Sequence, residues 1–242
     1  TLHSNQPTNQ EQSMTMNTQR KLIAATLTLV LTGPAWLAAT PTLAAGPAAK
    51  PCRPGSSACQ VQPLSTAEAA TLTFMREEEK LARDIYLNLD QAWGLPPFRN
   101  IAASEQNHMD AIKAKLDKYQ LPDPALPETG AFNNIELQAL YDELLARGKG
   151  SYQEGVQVGG LIEEVDIEDL DMAIAATNHA DLAQVYESLL CGSRNHLRSF
   201  AAAIEAQGMV YEAQYLDQVK VDAIIDSSME RNGVCGAGGG NR

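Results

Sequence analysis

The chain lacks the short motifs that mark several common enzyme classes. Its four cysteines include no Cys-x-x-Cys pair, so a thiolate zinc site or a thioredoxin-type redox site is not indicated. No Gly-x-Ser-x-Gly sequence occurs, which removes the signature of a serine hydrolase elbow. The glycine-rich segments end without Lys-Ser or Lys-Thr, so a Walker-type phosphate loop is not indicated either.

Basic residues are also scarce. The 18 lysines and arginines are outnumbered by 30 aspartates and glutamates, which gives a formal net charge of −12. This sign argues against nucleic acid or an anionic membrane as a partner. An acidic surface most simply keeps the protein soluble.

Long hydrophobic runs are absent except near the start of the chain. Arg20 and Lys21 precede the apolar run Leu22–Leu31, and Thr42-Leu43-Ala44 resembles a cleavage site, so we interpret residues 1–44 as a secretory signal peptide with upstream residues. The run is too short to span a bilayer, and no transmembrane segment is expected. Cleavage near Ala44 would give a periplasmic or secreted protein with a net charge of −13.

The rest of the chain is predicted to contain one folded domain. Residues 45–64 form a linker rich in Pro, Ala and Gly, residues 65–230 form the domain, and residues 231–242 form a flexible Gly-rich tail. Cys52 and Cys59 could close a small loop within the linker. Cys191 lies in a helical pattern and is expected to be a free, buried core residue.

Apolar residues at three- and four-residue spacings predict an all-α fold with four long helices. The connection after the second long helix is about 30 residues long and carries an extra short helix, which favours a crossover four-helix bundle over simple hairpins. A last short amphipathic segment is expected to pack on this bundle. The predicted helices cover residues 65–93, 99–119, 134–147, 152–176, 181–207 and 216–228.

The first long helix contains the acidic run Glu77–Lys80, which would by default be a solvated patch. Glu79 differs from its neighbours because helical spacing places it on the apolar face with Met75, Ala82 and Tyr86. An isolated buried carboxylate is costly, so Glu79 must be paired, protonated or bound to a metal.

Two histidines also lie on apolar faces of predicted helices. Glu105-x-x-His108 places a carboxylate and an imidazole one turn apart on the second helix. His196 shares a stripe with Ser193 and Phe200 on the fourth. A lone core histidine is more often structural than a ligand, but similar polar groups on four helices favour a shared site. His179 lacks such company and is expected at the surface.

The third long helix offers several acids, and periodicity must choose among them. The face that carries Ile162 and Ile167 also carries Glu163 and Asp166. We therefore expect Glu163 to point inward, with Asp166 as an additional ligand. Glu164 is the reserve candidate, because the opposite face also carries apolar residues.

Four ordered segments resemble a prokaryotic family of ferritin-like proteins catalogued as a domain of unknown function. The resemblance spans about residues 72–228 and implies a ferritin-like bundle. The segments are Arg76-Glu77-Glu78-Glu79-Lys80-Leu81-Ala82-Arg83-Asp84-Ile85-Tyr86, Ser104-Glu105-Gln106-Asn107-His108-Met109, Leu161-Ile162-Glu163-Glu164-Val165-Asp166-Ile167 and Gly192-Ser193-Arg194-Asn195-His196-Leu197-Arg198-Ser199-Phe200.

The wider ferritin and rubrerythrin group is similar at Glu79-x-x-Ala82-x-x-x-Tyr86. That likeness implies that Glu79 is a terminal metal ligand and that Tyr86 supports the site by hydrogen bonding. It also implies bridging roles for Glu105 and Glu163, with His108 and His196 each binding one metal.

The fourth helix departs from the pattern, because Ser193 stands where a second Glu-x-x-His would have its carboxylate. Asp166 could replace that oxygen ligand, or the site could resemble manganese catalases, in which the fourth helix contributes mainly a histidine.

The sequence therefore predicts a di-metal carboxylate site that reacts with peroxide or dioxygen, as in a peroxidase, catalase or ferroxidase. Two iron ions are the leading expectation, manganese also suits the carboxylate and imidazole ligands, and zinc is not excluded by ligand type. The alternative is a secreted structural or interaction module with a metal-free polar core. The oligomeric state stays open.

Overall fold

The computed structural model describes residues 62–231, and within this range it contains six helices and no strands. The expected all-α class is confirmed for this part of the chain. The signal peptide, most of the linker with Cys52 and Cys59, and the Gly-rich tail lie outside the described residues. The helices are α1 (Thr66–Trp93), α2 (Pro96–Lys118), α3 (Ile135–Gly148), α4 (Tyr152–Ala176), α5 (Ala180–Glu205) and α6 (Gln218–Ile225).

Local sequence sets the ends of α1 and the start of α2. The Ser65 hydroxyl accepts a hydrogen bond from the Glu68 N–H, and the Glu68 carboxylate accepts one from the Ser65 N–H, as the capping-box pattern predicts. Gly94 ends α1 in the left-handed conformation, with φ of 65°. Helix α2 begins at Pro96, three residues before the predicted start, because proline is well tolerated in a first helical turn.

The four long helices pack as two pairs. Helix α1 packs on α2 and α4 packs on α5, and the pairs meet where α1 contacts α4 and α2 contacts α5. Part of their shared interior is apolar, and the rings of Tyr86, Phe98 and Phe200 contact one another there at centroid distances of 5.2–6.3 Å. The short helix α3 packs on α1 and α4, while α6 packs on α5.

The acidic run on α1 is buried, which corrects the expectation of a solvated patch around Glu79. The Glu77 carboxylate accepts hydrogen bonds from the backbone N–H groups of Asn133 and Asn134, just before α3. The Lys80 ammonium is fully buried and donates to the Glu128 carbonyl. The connection between α2 and α4 therefore covers this face of α1, and helical periodicity alone does not reveal such a long-range cover.

Two further expectations are wrong in detail. Cys191 is buried as expected, but it is disulfide-bonded rather than free, and the other three cysteines of the chain all lie outside the described residues. His179 is half-buried rather than on the surface, because its Nδ1 lies 2.8 Å from Glu68 Oε1. Among residues 62–231, no helix is long and apolar enough to cross a membrane.

Candidate metal centre

Five buried acid and histidine side chains from the four long helices meet in the interior. Helix α1 supplies Glu79, α2 supplies Glu105 and His108, α4 supplies Glu163, and α5 supplies His196. The three glutamates are each 1% exposed, and the two histidines are 8% and 7% exposed. All five were selected from the sequence, because helical spacing placed each of them on an apolar face.

The five side chains form two overlapping groups. In the first group, His108 Nδ1 lies 3.1 Å from Glu79 Oε2 and 2.9 Å from Glu105 Oε2. In the second, His196 Nδ1 lies 2.7 Å from Glu105 Oε1 and 3.4 Å from Glu163 Oε2. Within each group the potential ligand atoms are all within 4.8 Å of one another. Glu105 belongs to both groups and offers one oxygen to each.

Several of these atoms lack a hydrogen-bond partner within the described part of the chain. They are Glu79 Oε1, Glu105 Oε1 and His196 Nδ1. Glu105 Oε1 and His196 Nδ1 lie close together but are not aligned for a hydrogen bond, as two ligands of one ion would be. Buried polar atoms are normally satisfied, so unpaired ones at the same place call for an explanation. A bound divalent cation supplies that explanation, and the oxygen and imidazole donors fit iron or manganese.

Asp166 lies close to this cluster but belongs to neither group. Its Oδ2 accepts a hydrogen bond from the Ser193 hydroxyl, while its Oδ1 is buried without a hydrogen-bond partner among the described residues. The Ser193 hydroxyl also lies 3.0 Å from the Leu189 carbonyl. Ser193 stands where the resemblance implies a carboxylate on α5. The structure thus places Ser193 in contact with Asp166, the acid that could replace that oxygen ligand.

Burial and the charges of neighbouring residues shift the pKa values of the residues in the cluster. Burial alone would lower the pKa of His196, but the Glu105 and Glu163 carboxylates raise it to about 10. Burial, reinforced by the charges of Glu163 and Glu105, raises the pKa of Asp166 to about 8. Burial and the nearby Asp166 charge likewise hold the pKa of Glu79 well above its usual range.

These shifts show how the cluster carries its charge without a metal. The histidines stay protonated beside carboxylates, and part of the acids stay neutral because burial disfavours their charged forms. Two divalent cations would balance four ionised carboxylates, namely Glu79, Glu105, Glu163 and Asp166. Each of the two groups also has buried carboxylate and imidazole donors that could hold a metal ion.

Neighbouring side chains fix the orientation of the ligand candidates. The Tyr86 hydroxyl donates to Glu163 Oε1 at 2.6 Å, as the resemblance implied. His196 Nε2 lies 2.9 Å from the Ser104 hydroxyl, which leaves Nδ1 directed at the carboxylates. Hydrogen bonds of this kind orient metal-binding side chains and tune their basicity. Ser104 was not singled out from the sequence, although it directly precedes Glu105.

Gly192 is a second residue that sequence reasoning missed. A Cβ atom at this position would lie 2.5 Å from His108 Nε2, so the absence of a side chain on α5 lets the imidazole of α2 approach. A glycine inside a helix usually costs stability and signals close packing. The glycine therefore signals close packing at this position, but it does not indicate which side chain approaches.

The structure separates the two neighbouring glutamates of α4 that the sequence left as alternatives. Glu163 lies in the second group. Glu164 is also fully buried, but it accepts hydrogen bonds from the backbone N–H groups of Gln214, Tyr215 and Leu216 and from the Tyr211 hydroxyl. Glu164 therefore anchors the segment before α6 and does not join the cluster.

Comparison with known proteins places the chain in a family. A family model described as an uncharacterized protein domain, DUF2202, matches residues 68–228. An uncharacterized protein of Methanocaldococcus jannaschii, MJ0754, is 46% identical over 171 residues, which cover 70% of this chain and 92% of the relative. The crystal structure of that hypothetical protein matches with a TM-score of 0.69 and 44% identity over 72% of this chain and all of the other. This chain therefore belongs to the DUF2202 family.

Proposed function

We propose that this protein is an exported, ferritin-like oxidoreductase with a two-metal site that reacts with peroxide or dioxygen. The observation that carries the proposal is the position of Glu105, whose two carboxylate oxygens each reach a different histidine-containing group. A carboxylate shared between two sets of ligands is how a bridged pair of ions is held in helical bundles.

The ferritin-like part of the proposal rests on how the ligand candidates are distributed. Each of the four long helices contributes at least one inward acid or histidine at the same depth. The long connection between α2 and α4 agrees with a crossover topology. Ser193 stands where the resemblance implies a carboxylate, and its hydroxyl donates a hydrogen bond to Asp166. This contact supports Asp166 as the substitute oxygen donor.

The choice of iron or manganese follows from the reaction as well as from the ligands. Iron or manganese, held by these residues, would supply the two electrons that, with two protons, reduce hydrogen peroxide to two waters or dioxygen to hydrogen peroxide. Zinc fits the donors but has no redox chemistry to offer. The protein's own residues would hold the ions, keep both imidazoles neutral once metal is bound, and exclude bulk water through burial.

The decisive experiment measures metals per chain by elemental mass spectrometry, on protein purified without chelators and then reconstituted with Fe(II) or Mn(II). About two ions per chain are expected. Replacing Glu105 with Gln should remove both ions, because both groups lose a ligand, and His108→Ala should reduce occupancy of the first group most. Asp110→Asn is the matched control, since Asp110 is an exposed acid on the same helix. Unchanged metal content in Glu105→Gln would defeat the proposal.

A second candidate is a structural or interaction module with a metal-free polar core. It is favoured by the ion-pair contacts that the cluster already makes between His108 and Glu79 and between His196 and Glu105. A protein that takes up neither Fe nor Mn, and that keeps its unfolding temperature in the presence of a chelator, would select this candidate.

Export is a separate part of the proposal. The disulfide bond at Cys191 supports it, because stable disulfides form mainly in oxidising compartments. Mass spectrometry of the protein recovered from its source should show a mature chain that begins near Ala45, located in the periplasm or the medium. An intact chain recovered with cytoplasmic proteins would contradict export without affecting the metal site.

A further inference from the structure

A small cavity lies beside Glu79, between α1, α3 and α4. Its volume is about 30 Å³, which is room for one or two water-sized molecules. Helix α3 supplies Leu140 and Leu144 to its wall, and α4 supplies Ile162 and Val165. The cavity is therefore lined mainly by branched apolar side chains, although the protein as a whole is acidic.

The cavity also borders the candidate metal centre. Glu79 and Asp166 both contribute to its wall, so a molecule inside it would lie next to a ligand of the first group. Glu78 also contributes to the wall, but nearly all of the surface exposed inside the cavity is apolar. A polar occupant would therefore exchange hydrogen bonds with water mainly for contacts with leucine and isoleucine, which is unfavourable. An apolar diatomic molecule has no such cost, and apolar cavities in proteins stay dry and take up apolar gases.

We propose that this cavity is the binding pocket for dioxygen and that Leu140 controls entry to it. This inference rests on the proposed function. Of the two oxidants proposed there, it selects dioxygen, which is apolar, over peroxide. Leu140 is only partly buried, whereas Leu144 is 2% exposed, so Leu140 is the wall residue of α3 closest to solvent. The small volume also excludes bulky organic substrates at this place.

The first test needs neither metal nor activity. Crystals of the metal-free full chain are pressurised with xenon, and density is expected among Leu144, Ile162 and Val165. The larger side chain of Leu140→Phe should reduce that density. Leu145→Phe is the matched control, because Leu145 is a partly buried leucine of the same helix that does not contribute to the cavity wall. Absence of xenon from the wild-type cavity would overturn the proposal.

The second test uses the Fe(II)-loaded full chain and follows oxidation by stopped-flow absorbance. In Leu140→Phe the rate with dioxygen should fall on the order of tenfold, which corresponds to about 1.4 kcal/mol of barrier. The rate with hydrogen peroxide, and both rates in Leu145→Phe, should stay close to wild type. Equal slowing with both oxidants, or equal effects of the two variants, would contradict the assignment.

Failure of the proposed function gives a different result. A chain that binds no metal but holds xenon in the cavity would defeat the metal proposal and retain an apolar gas pocket. If Leu140→Phe does not fold, Leu140→Ala serves instead, with faster oxidation by dioxygen expected because the entrance is wider. An unchanged rate in a folded Leu140→Ala protein would count against control by Leu140.

Discussion

Glu163 and Glu164 are adjacent buried residues of α4, but their surroundings differ in how completely buried polar atoms are hydrogen-bonded. Around Glu164, three backbone N–H groups and the Tyr211 hydroxyl satisfy the carboxylate completely. Around Glu163, carboxylates outnumber histidines, and several polar atoms lack hydrogen-bond partners among the described residues. Burial alone therefore does not identify a ligand. Beside Glu163, atoms of Glu79, Glu105 and His196 that are unpaired within residues 62–231 leave bonding capacity that a cation could use.

The largest expected effect tests the satisfied side of this comparison. Glu164→Ala should lower the free energy of unfolding by about 4 kcal/mol, because several buried donors lose their acceptor at once. Glu163→Ala in metal-free protein should cost much less, since it also removes one of several crowded carboxylates. Urea denaturation of both variants measures the difference. Equal losses would show that the two regions are not energetically distinct.

Metal addition tests the region around Glu163, where buried polar atoms lack hydrogen-bond partners among the described residues. At a free metal concentration about 100 times the dissociation constant, binding should stabilise the wild type by about 2.7 kcal/mol. The gain should largely disappear in Glu163→Gln and persist in Glu164→Gln, whose own unfolding temperature without metal serves as its reference. Thermal unfolding with and without Fe(II) or Mn(II) provides the measurement. A gain that persists in Glu163→Gln would remove this glutamate from the ligand set.

The pH dependence of stability extends the comparison to Asp169, a buried acid of α4 close to the cluster. Burial raises the pKa of Asp169 to about 6, although its hydrogen bond with Glu78 opposes the shift. The folded state therefore binds more protons than the unfolded state between about pH 4 and pH 6, so this contribution to stability is lost as the pH rises through that window.

As the pH rises from about 4 to about 6, the free energy of unfolding should fall by about 2 kcal/mol less in Asp169→Asn than in wild type, because the variant lacks the titrating carboxyl group. Urea denaturation of metal-free protein at several pH values follows the difference. Parallel curves for the two proteins would show that Asp169 does not titrate as the structure indicates. The exposed Asp110→Asn protein should follow the wild-type curve.

The smallest effect concerns orientation of the cluster. Tyr86→Phe removes only the hydroxyl that donates to Glu163, so the fold should persist while metal affinity falls about tenfold. Competition with a coloured chelator reports the affinity. If both affinity and unfolding temperature are unchanged, the hydroxyl contributes neither to metal binding nor to packing.

The sequence predicted the helices and the convergence of five ligand candidates because both follow from local periodicity. An inward position on a long helix is determined by the residues three and four positions away, and this was sufficient for Glu79, Glu105 and His196. Whether these residues bind metal stays a prediction.

Contacts between distant segments could not be predicted in the same way. Glu164 is buried because the segment near residue 214 folds over it, and Lys80 is buried because the connection between α2 and α4 does the same. Gly192 is informative only once His108 is known to face it. Each of these outcomes depends on a partner at least 47 residues away in the chain, and no pattern within one helix encodes it.

The burial of Lys80 has a consequence for how the protein opens. The α1 residues that flank Glu79 form hydrogen bonds with the connection between α2 and α4, 46 to 57 residues later in the chain. The pairs are Lys80 with Glu128, Asp84 with Gly130, and Glu77 with Asn134. Local unfolding of this connection would release the segment of α1 that holds Glu79. Amide hydrogen exchange in α3 should therefore slow when metal binds, because opening and metal release are coupled as one cooperative unit.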